Sequence, residues 1–116
     1  MPIDESAANR PTQASAFLDH LLAIDLPGGL QVNASAIGTG GMSLGGFTSL
    51  ALNSVDRRPK ASYPMCPMYG SRSLAPHVRR LQALLRVDDW QRPVPTCVLT
   101  GEADPIVNVE DMRHLY

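Results

Sequence analysis

Ala14, Phe17, Leu18, Leu21 and Leu22 recur at helical spacing and predict an amphipathic helix that starts beyond a Thr12 cap and ends near Ile24. Residues 1–11 are polar and read as a flexible lead-in. Pro27-Gly28-Gly29 breaks the helix, and small apolar residues over 31–40 predict a first buried strand. Phe47, Leu50 and Ala51 mark one side of a helix over 44–53, with Asp56-Arg57-Arg58-Pro59 as its polar exit. A second short strand is predicted over 61–65, where Pro64, lacking an N–H, signals a strand end or an irregular edge. After a loop over 67–73, Pro76 suits the first turn of a third helix. That helix points Val78, Leu81, Leu84 and Leu85 inward and leaves Arg79, Arg80 and Arg86 in water. Pro93-Val94-Pro95 leads into a third strand over 96–100. A loop over 101–107 follows, then a last helix from about Asn108 with Val109, Met112 and Leu115 as its apolar side.

Strands alternating with helices imply an α/β fold: about three parallel strands joined by right-handed crossover helices, in one domain over 1–116. The chain has 116 residues, 10 Lys plus Arg against 11 Asp plus Glu, and no basic stripe, which excludes phosphate-backbone binding as its main task. No apolar run approaches the ~20 residues of a membrane span. The start Met1-Pro2-Ile3-Asp4-Glu5 lacks the order of a secretory signal, so a cytoplasmic protein is expected. Cys66 and Cys97 each lie in an apolar run read as a buried strand, and are expected as free core thiols. No Cys, His or carboxylate grouping has metal-ligand spacing, and no metal or organic cofactor is implied.

The informative string is Gly40-Gly41-Met42-Ser43-Leu44-Gly45-Gly46, which sets Gly41-x-Ser43-x-Gly45 between a strand and a helix. To lift its hydroxyl above a sheet, the serine must occupy a strained turn at positive φ, where the residues two before and two after approach too closely for side chains. That predicts glycine at 41 and 45. The helix beginning after Ser43 aims its first amides at the same spot, so the Leu44 amide is a candidate oxyanion donor. Downstream, the loop after the third predicted strand carries Asp104. In parallel sheets the strand ends bearing such loops lie on one edge, which would place Ser43 and Asp104 together as candidate catalytic residues. The alternative for Asp104 is a turn aspartate capping its own loop beside Pro105.

From residue 14 to 116 the chain resembles the α/β-hydrolase family, most closely its dienelactone-hydrolase and acyl-esterase-like branch, through the serine motif and the later acid in the same order. The resemblance implies a partial α/β-hydrolase fold and cleavage of an ester or related acyl bond in a small-molecule substrate. Ser43 would be the nucleophile of an acyl-serine intermediate, Asp104 the acid and Leu44 an oxyanion donor. Met42 stands where relatives often carry histidine. The base histidine that the family places a few dozen residues beyond the acid has no counterpart, nor do the early strands, so the chain reads as an internal piece of such a hydrolase, catalytically incomplete by itself. His20, His77 and His114 sit on helices and are not expected as the base. The unpaired sheet edges are expected to favour self-association. A noncatalytic interaction protein with the same sheet is the competing reading. A dinucleotide site fails because Ser43 occupies the third glycine position after Gly38-x-Gly40, and no Gly-Lys-Ser/Thr follows for a phosphate loop.

Overall fold

The computed structural model describes residues 3–73 and 75–115; Met1, Pro2, Leu74 and Tyr116 lie outside the described residues. The elements in order are α1 (Ile3–Ala23), β1 (Ile37–Met42), α2 (Leu44–Val55), β2 (Pro59–Met65), α3 (Pro76–Leu81) and α4 (Val109–Arg113), with short 3₁₀ turns at Pro27–Gly29, Gln82–Leu84 and Val87–Trp90. The architecture is mixed helix and strand around one small parallel sheet.

Helix α1 begins nine residues before the Thr12 boundary and runs through Pro11, so the expected lead-in over 3–11 is helical. Glu5, Ala7 and Ala8 are good helix formers, and Ala7 is fully buried in the core. Further along, Leu18 turns inward while Phe17, expected on the same face, is 61% exposed. The first strand is confined to Ile37–Met42. Asn33, expected within it, instead accepts the Ser35 amide and hydroxyl on its side chain and the Ala36 amide on its carbonyl, a local turn that competes with extended pairing.

β1 and β2 pair in parallel, with Thr39 opposite Ser62, Gly41 opposite Pro64 and Met42 opposite Met65. The third expected strand is not a regular one. Residues 95–99 run parallel to β2 as a ribbon bridged at two isolated points, Ser62 with Thr96 and Met65 with Leu99. Backbone bonds from Ser62 to Pro95, Cys97 to Ser62, Leu99 to Pro64 and Cys66 to Leu99 follow the slanted parallel pattern. That pattern calls next for a donor at residue 64 toward the ribbon, and Pro64 has none. The proline expected to mark an irregular edge thus interrupts this ladder from inside β2.

Helix α2 covers one sheet face. Phe47 and Leu50 are fully buried and join Ala7, Val78, Leu81 and Trp90 in the core. Asn53 donates to Ser62 Oγ, which shares a 2.9 Å bond with Thr39 Oγ1, so a short polar chain fixes the helix on the strands. The α2–β2 turn is stapled to α1: buried Asp56 accepts from Ser15 Oγ and from Arg58, whose guanidinium also reaches Asp19. The Arg58 hydrogen bonds hold the Asp56 carboxyl well below the usual carboxylate range, against an opposing push from burial. Arg92 closes the other side, donating to the carbonyls of Asn53, Asp56 and Pro59.

The opposite sheet face is open. Gly38, Gly40, Met42, Ala61, Tyr63, Cys97 and Leu99 all point outward on it. Cys97 is therefore exposed, and Cys66, just past the end of β2, is half-buried; neither is the core thiol that apolar runs suggest. A run of apolar residues reports burial on both faces only when both faces are covered. In α3 the expected pattern holds for Val78, Leu81 and Leu85, but Leu84 is 42% exposed because the helix gives way to a 3₁₀ turn at Gln82. No described helix is long and apolar enough to cross a membrane.

Candidate active site

Ser43 joins β1 to α2 at φ 56° and ψ −119°, one of three non-glycine residues at positive φ among the described residues. Such a conformation costs a β-carbon-bearing residue about 1–2 kcal/mol and persists only where surroundings enforce it. The enforcement is visible. The Ser43 amide donates to the Met65 carbonyl at 2.9 Å, and the Ser43 carbonyl accepts from the amides of Met68 at 3.0 Å and Phe47 at 3.1 Å. The end of β2 and the stretch that follows it thus grip the serine from both sides. Cys66, itself at φ 41°, makes the bend that lets Met65 and Met68 reach the same partner.

The glycines divide unequally. A Cβ on Gly41 would lie 2.6 Å from the backbone carbonyl of Gly45, so position 41 tolerates no side chain. One on Gly46 would lie 3.0 Å from the Gly41 oxygen and the Pro67 Cα, the close helix packing expected of that extra glycine. One on Gly45 meets nothing within 4 Å, so the expectation of two sterically required flanks is corrected to Gly41 alone among the pair. The approach is one-sided: Gly45 contributes backbone, and its own Cα–H faces space.

Serine at a helix N-cap ordinarily turns its hydroxyl back to accept a first-turn amide. Ser43 occupies that position in α2 and makes no such bond. Ser43 is exposed at the carboxyl edge of the sheet, and its hydroxyl makes no hydrogen bond among the described residues. The first bond of α2 is donated by Phe47, so the amides of Leu44, Gly45 and Gly46 precede the helical ladder and face the end where the helix dipole is positive. An anion forming beside Ser43 would meet the Leu44 amide there.

Met42, Met65 and Leu99 stand side by side across β1, β2 and the ribbon, so all three chains leave the sheet at one edge. Ser43 follows the first and the loop that carries Asp104 follows the third, and at ordinary strand spacing the ends at Met42 and Leu99 stand roughly 10 Å apart along the edge. Asp104 Oδ1 accepts the amides of Ile106 at 2.8 Å and Val107 at 3.0 Å. That is the loop-capping alternative, and it occupies one oxygen. Oδ2 makes no hydrogen bond among the described residues. No hydrogen bond joins Ser43 and Asp104 among the described residues, and an acid and a serine work as a triad only through an imidazole between them. His20 and His114 are exposed and His77 is half-buried, and none hydrogen-bonds to either residue.

Two features of the site gave no sequence signal. Asp111 on α4 is buried and receives the Arg72 amide and Ser71 hydroxyl, whereas the apolar spacing singled out Val109, Met112 and Leu115. Tyr69 lies beside it, its phenol pushed above its ordinary value first by burial and then by the Asp111 charge. A hollow of about 620 Å³ at the end of α1 includes neither Ser43 nor Asp104. Another of about 420 Å³ lies on the open sheet face against Gly38, Ala61, Tyr63 and Cys97. Among the described residues no group of three or more His, Cys, Asp or Glu side chains could hold a metal ion. No family model, curated protein or solved structure matches the chain.

Proposed function

We propose that the chain is a serine hydrolase of the α/β-hydrolase type, acting on an ester or related acyl bond through an acyl-serine intermediate at Ser43. The observation that carries this reading is the uncapped hydroxyl of Ser43, held at φ 56° between a parallel strand and a helix N-terminus. Leu44 supplies an oxyanion amide and Asp104, through Oδ2, the acid that orients a base. The ribbon over 95–99 is read as the third parallel strand of that fold. None of His20, His77 and His114 hydrogen-bonds to Ser43 or Asp104, and the chain is read as catalytically incomplete by itself or completed by a partner chain. The two free cysteines suit a reducing cytoplasm.

The test is chemical rescue. Added imidazole should accelerate hydrolysis of p-nitrophenyl acetate by the wild-type protein above its background rate in buffer, and Ser43→Ala should abolish that acceleration. Equal acceleration with Ser43→Ala would end the proposal.

A second reading is favoured by the uncharged open face and the unpaired outer edge of β1: a noncatalytic interaction protein that associates through its sheet, with its own copies first. Light scattering after size exclusion separates the two. A monomer that melts cooperatively would remove the interaction reading, and concentration-dependent dimers indifferent to Ser43→Ala would support it.

A further inference from the structure

We propose that Asp111 is a positioning residue of the Ser43 elbow, acting from α4 through the loop that follows β2. Its activity readout rests on the hydrolase reading above; its structural readout does not.

The argument runs outward from the strained residue. Ser43 is kept at positive φ by the carbonyl of Met65 on one side and the amide of Met68 on the other, so the fate of the elbow depends on where residues 66–73 are held. Their near end is anchored by the buried Met68. Their far end is anchored by Asp111, only 5% exposed, which accepts the Arg72 amide on Oδ2 at 2.8 Å and the Ser71 hydroxyl on Oδ1 at 3.3 Å. Between them Gly70, at φ 131°, lies so close that a Cβ there would sit 2.3 Å from Asp111 Oδ2. The loop backbone therefore rests directly on the carboxylate. A buried carboxylate that gives up its hydration is held in place by such amide and hydroxyl donors, and the loop is held by the same bonds. The hydrogen bonds of Asp111 go to Ser71 and Arg72 and not to Ser43. Its effect reaches Ser43 through the Met68 amide.

The experiment follows amide exchange at Met68 by NMR and the rate of fluorophosphonate labelling at Ser43 in the intact chain with imidazole present as base, comparing Asp111→Ala, Asp111→Asn, Ser71→Ala and Leu85→Ala. Asparagine can accept the Arg72 amide and donate to Ser71 Oγ, so Asp111→Asn should keep both quantities near wild type. Asp111→Ala should speed Met68 exchange and slow labelling by roughly tenfold each, and Ser71→Ala should shift both the same way by less. Leu85→Ala, which loosens the hydrophobic core but leaves the Asp111 hydrogen bonds in place, should lower the melting temperature without this pairing. The proposal is overturned if Met68 exchange is unchanged in both Asp111→Ala and Ser71→Ala, or if Leu85→Ala reproduces the paired effect. Should Asp111→Ala fail to fold, Ser71→Ala against Asp111→Asn decides the same question. A wild-type chain that takes no label even with imidazole present would remove the hydrolase reading, and Met68 exchange would then decide this proposal alone.

Discussion

Gly41 and Gly45 meet asymmetrically: a Cβ on the first would strike the carbonyl of the second at 2.6 Å, while a Cβ on the second would point into open space. Gly41→Ala must push apart a strand end and a helix N-terminus, neither of which has a flexible tip to yield. It should cost about 2–3 kcal/mol in urea unfolding and abolish reaction at Ser43. Gly45→Ala should fold normally and gain up to about 1 kcal/mol, because alanine loses less backbone freedom than glycine in a helix. Equal losses at both positions would contradict the geometry.

Acid should unpick the staple between α1 and the α2–β2 turn. Arg58 holds the Asp56 carboxyl below its ordinary range, so the unfolded chain takes up that proton first as pH falls. The stabilisation is complete above about pH 5, and it declines as pH drops through about 4 toward the depressed native value. Asp56→Asn should cost about 2 kcal/mol at neutral pH and flatten this acid limb in thermal melts. Asp19→Asn should change stability by less than about 0.5 kcal/mol, since the Asp19 side chain is 68% exposed.

Pro64 is the point where β2 withholds a donor from the ribbon over 95–99. Pro64→Val restores an N–H facing that ribbon, and hydrogen exchange should reveal a new protected amide at residue 64. Net stability should move by no more than about 0.5 kcal/mol, because the added hydrogen bond is offset by the greater freedom of valine in the unfolded chain. A freely exchanging amide at 64 would place the ribbon elsewhere.

The two thiols should separate kinetically. Cys97 is exposed on the open face and Cys66 is half-buried at the bend after β2. With Ellman's reagent, Cys97 should react first. Cys97→Ser should remove the fast phase and Cys66→Ser the slow one.

Sequence legibility followed the range of the interactions involved. The α2 face of Phe47, Leu50 and Ala51, the Pro76 start and the start of the last helix at Asn108 are set by neighbours a few residues away, and the chain displays them. The elbow was legible for the same reason, since its strain, its glycine flank and its helix start all lie within six residues. Gly45 was misjudged because a motif records which residues approach but not from which side. The Cys66 and Cys97 assignments failed because strand residues report burial only through the layer packed on them, and that layer is absent from one face. The third expected strand does not form as a strand: residues 95–99 meet β2 only at two isolated bridges, and Pro64 in the neighbouring strand withholds the donor between them. Asp111 carried no signal at all, because its partners, Ser71 and Arg72, are about 40 residues distant in sequence.

Mass-spectrometric mapping of a fluorophosphonate adduct, formed with imidazole present to serve as base, bears most directly on whether this bend presents a nucleophile. The account expects one adduct, on the peptide containing Ser43, missing in Ser43→Ala and strongly reduced in Gly41→Ala. An unmodified Ser43 in folded wild-type protein, or labelling that survives Ser43→Ala, would contradict it.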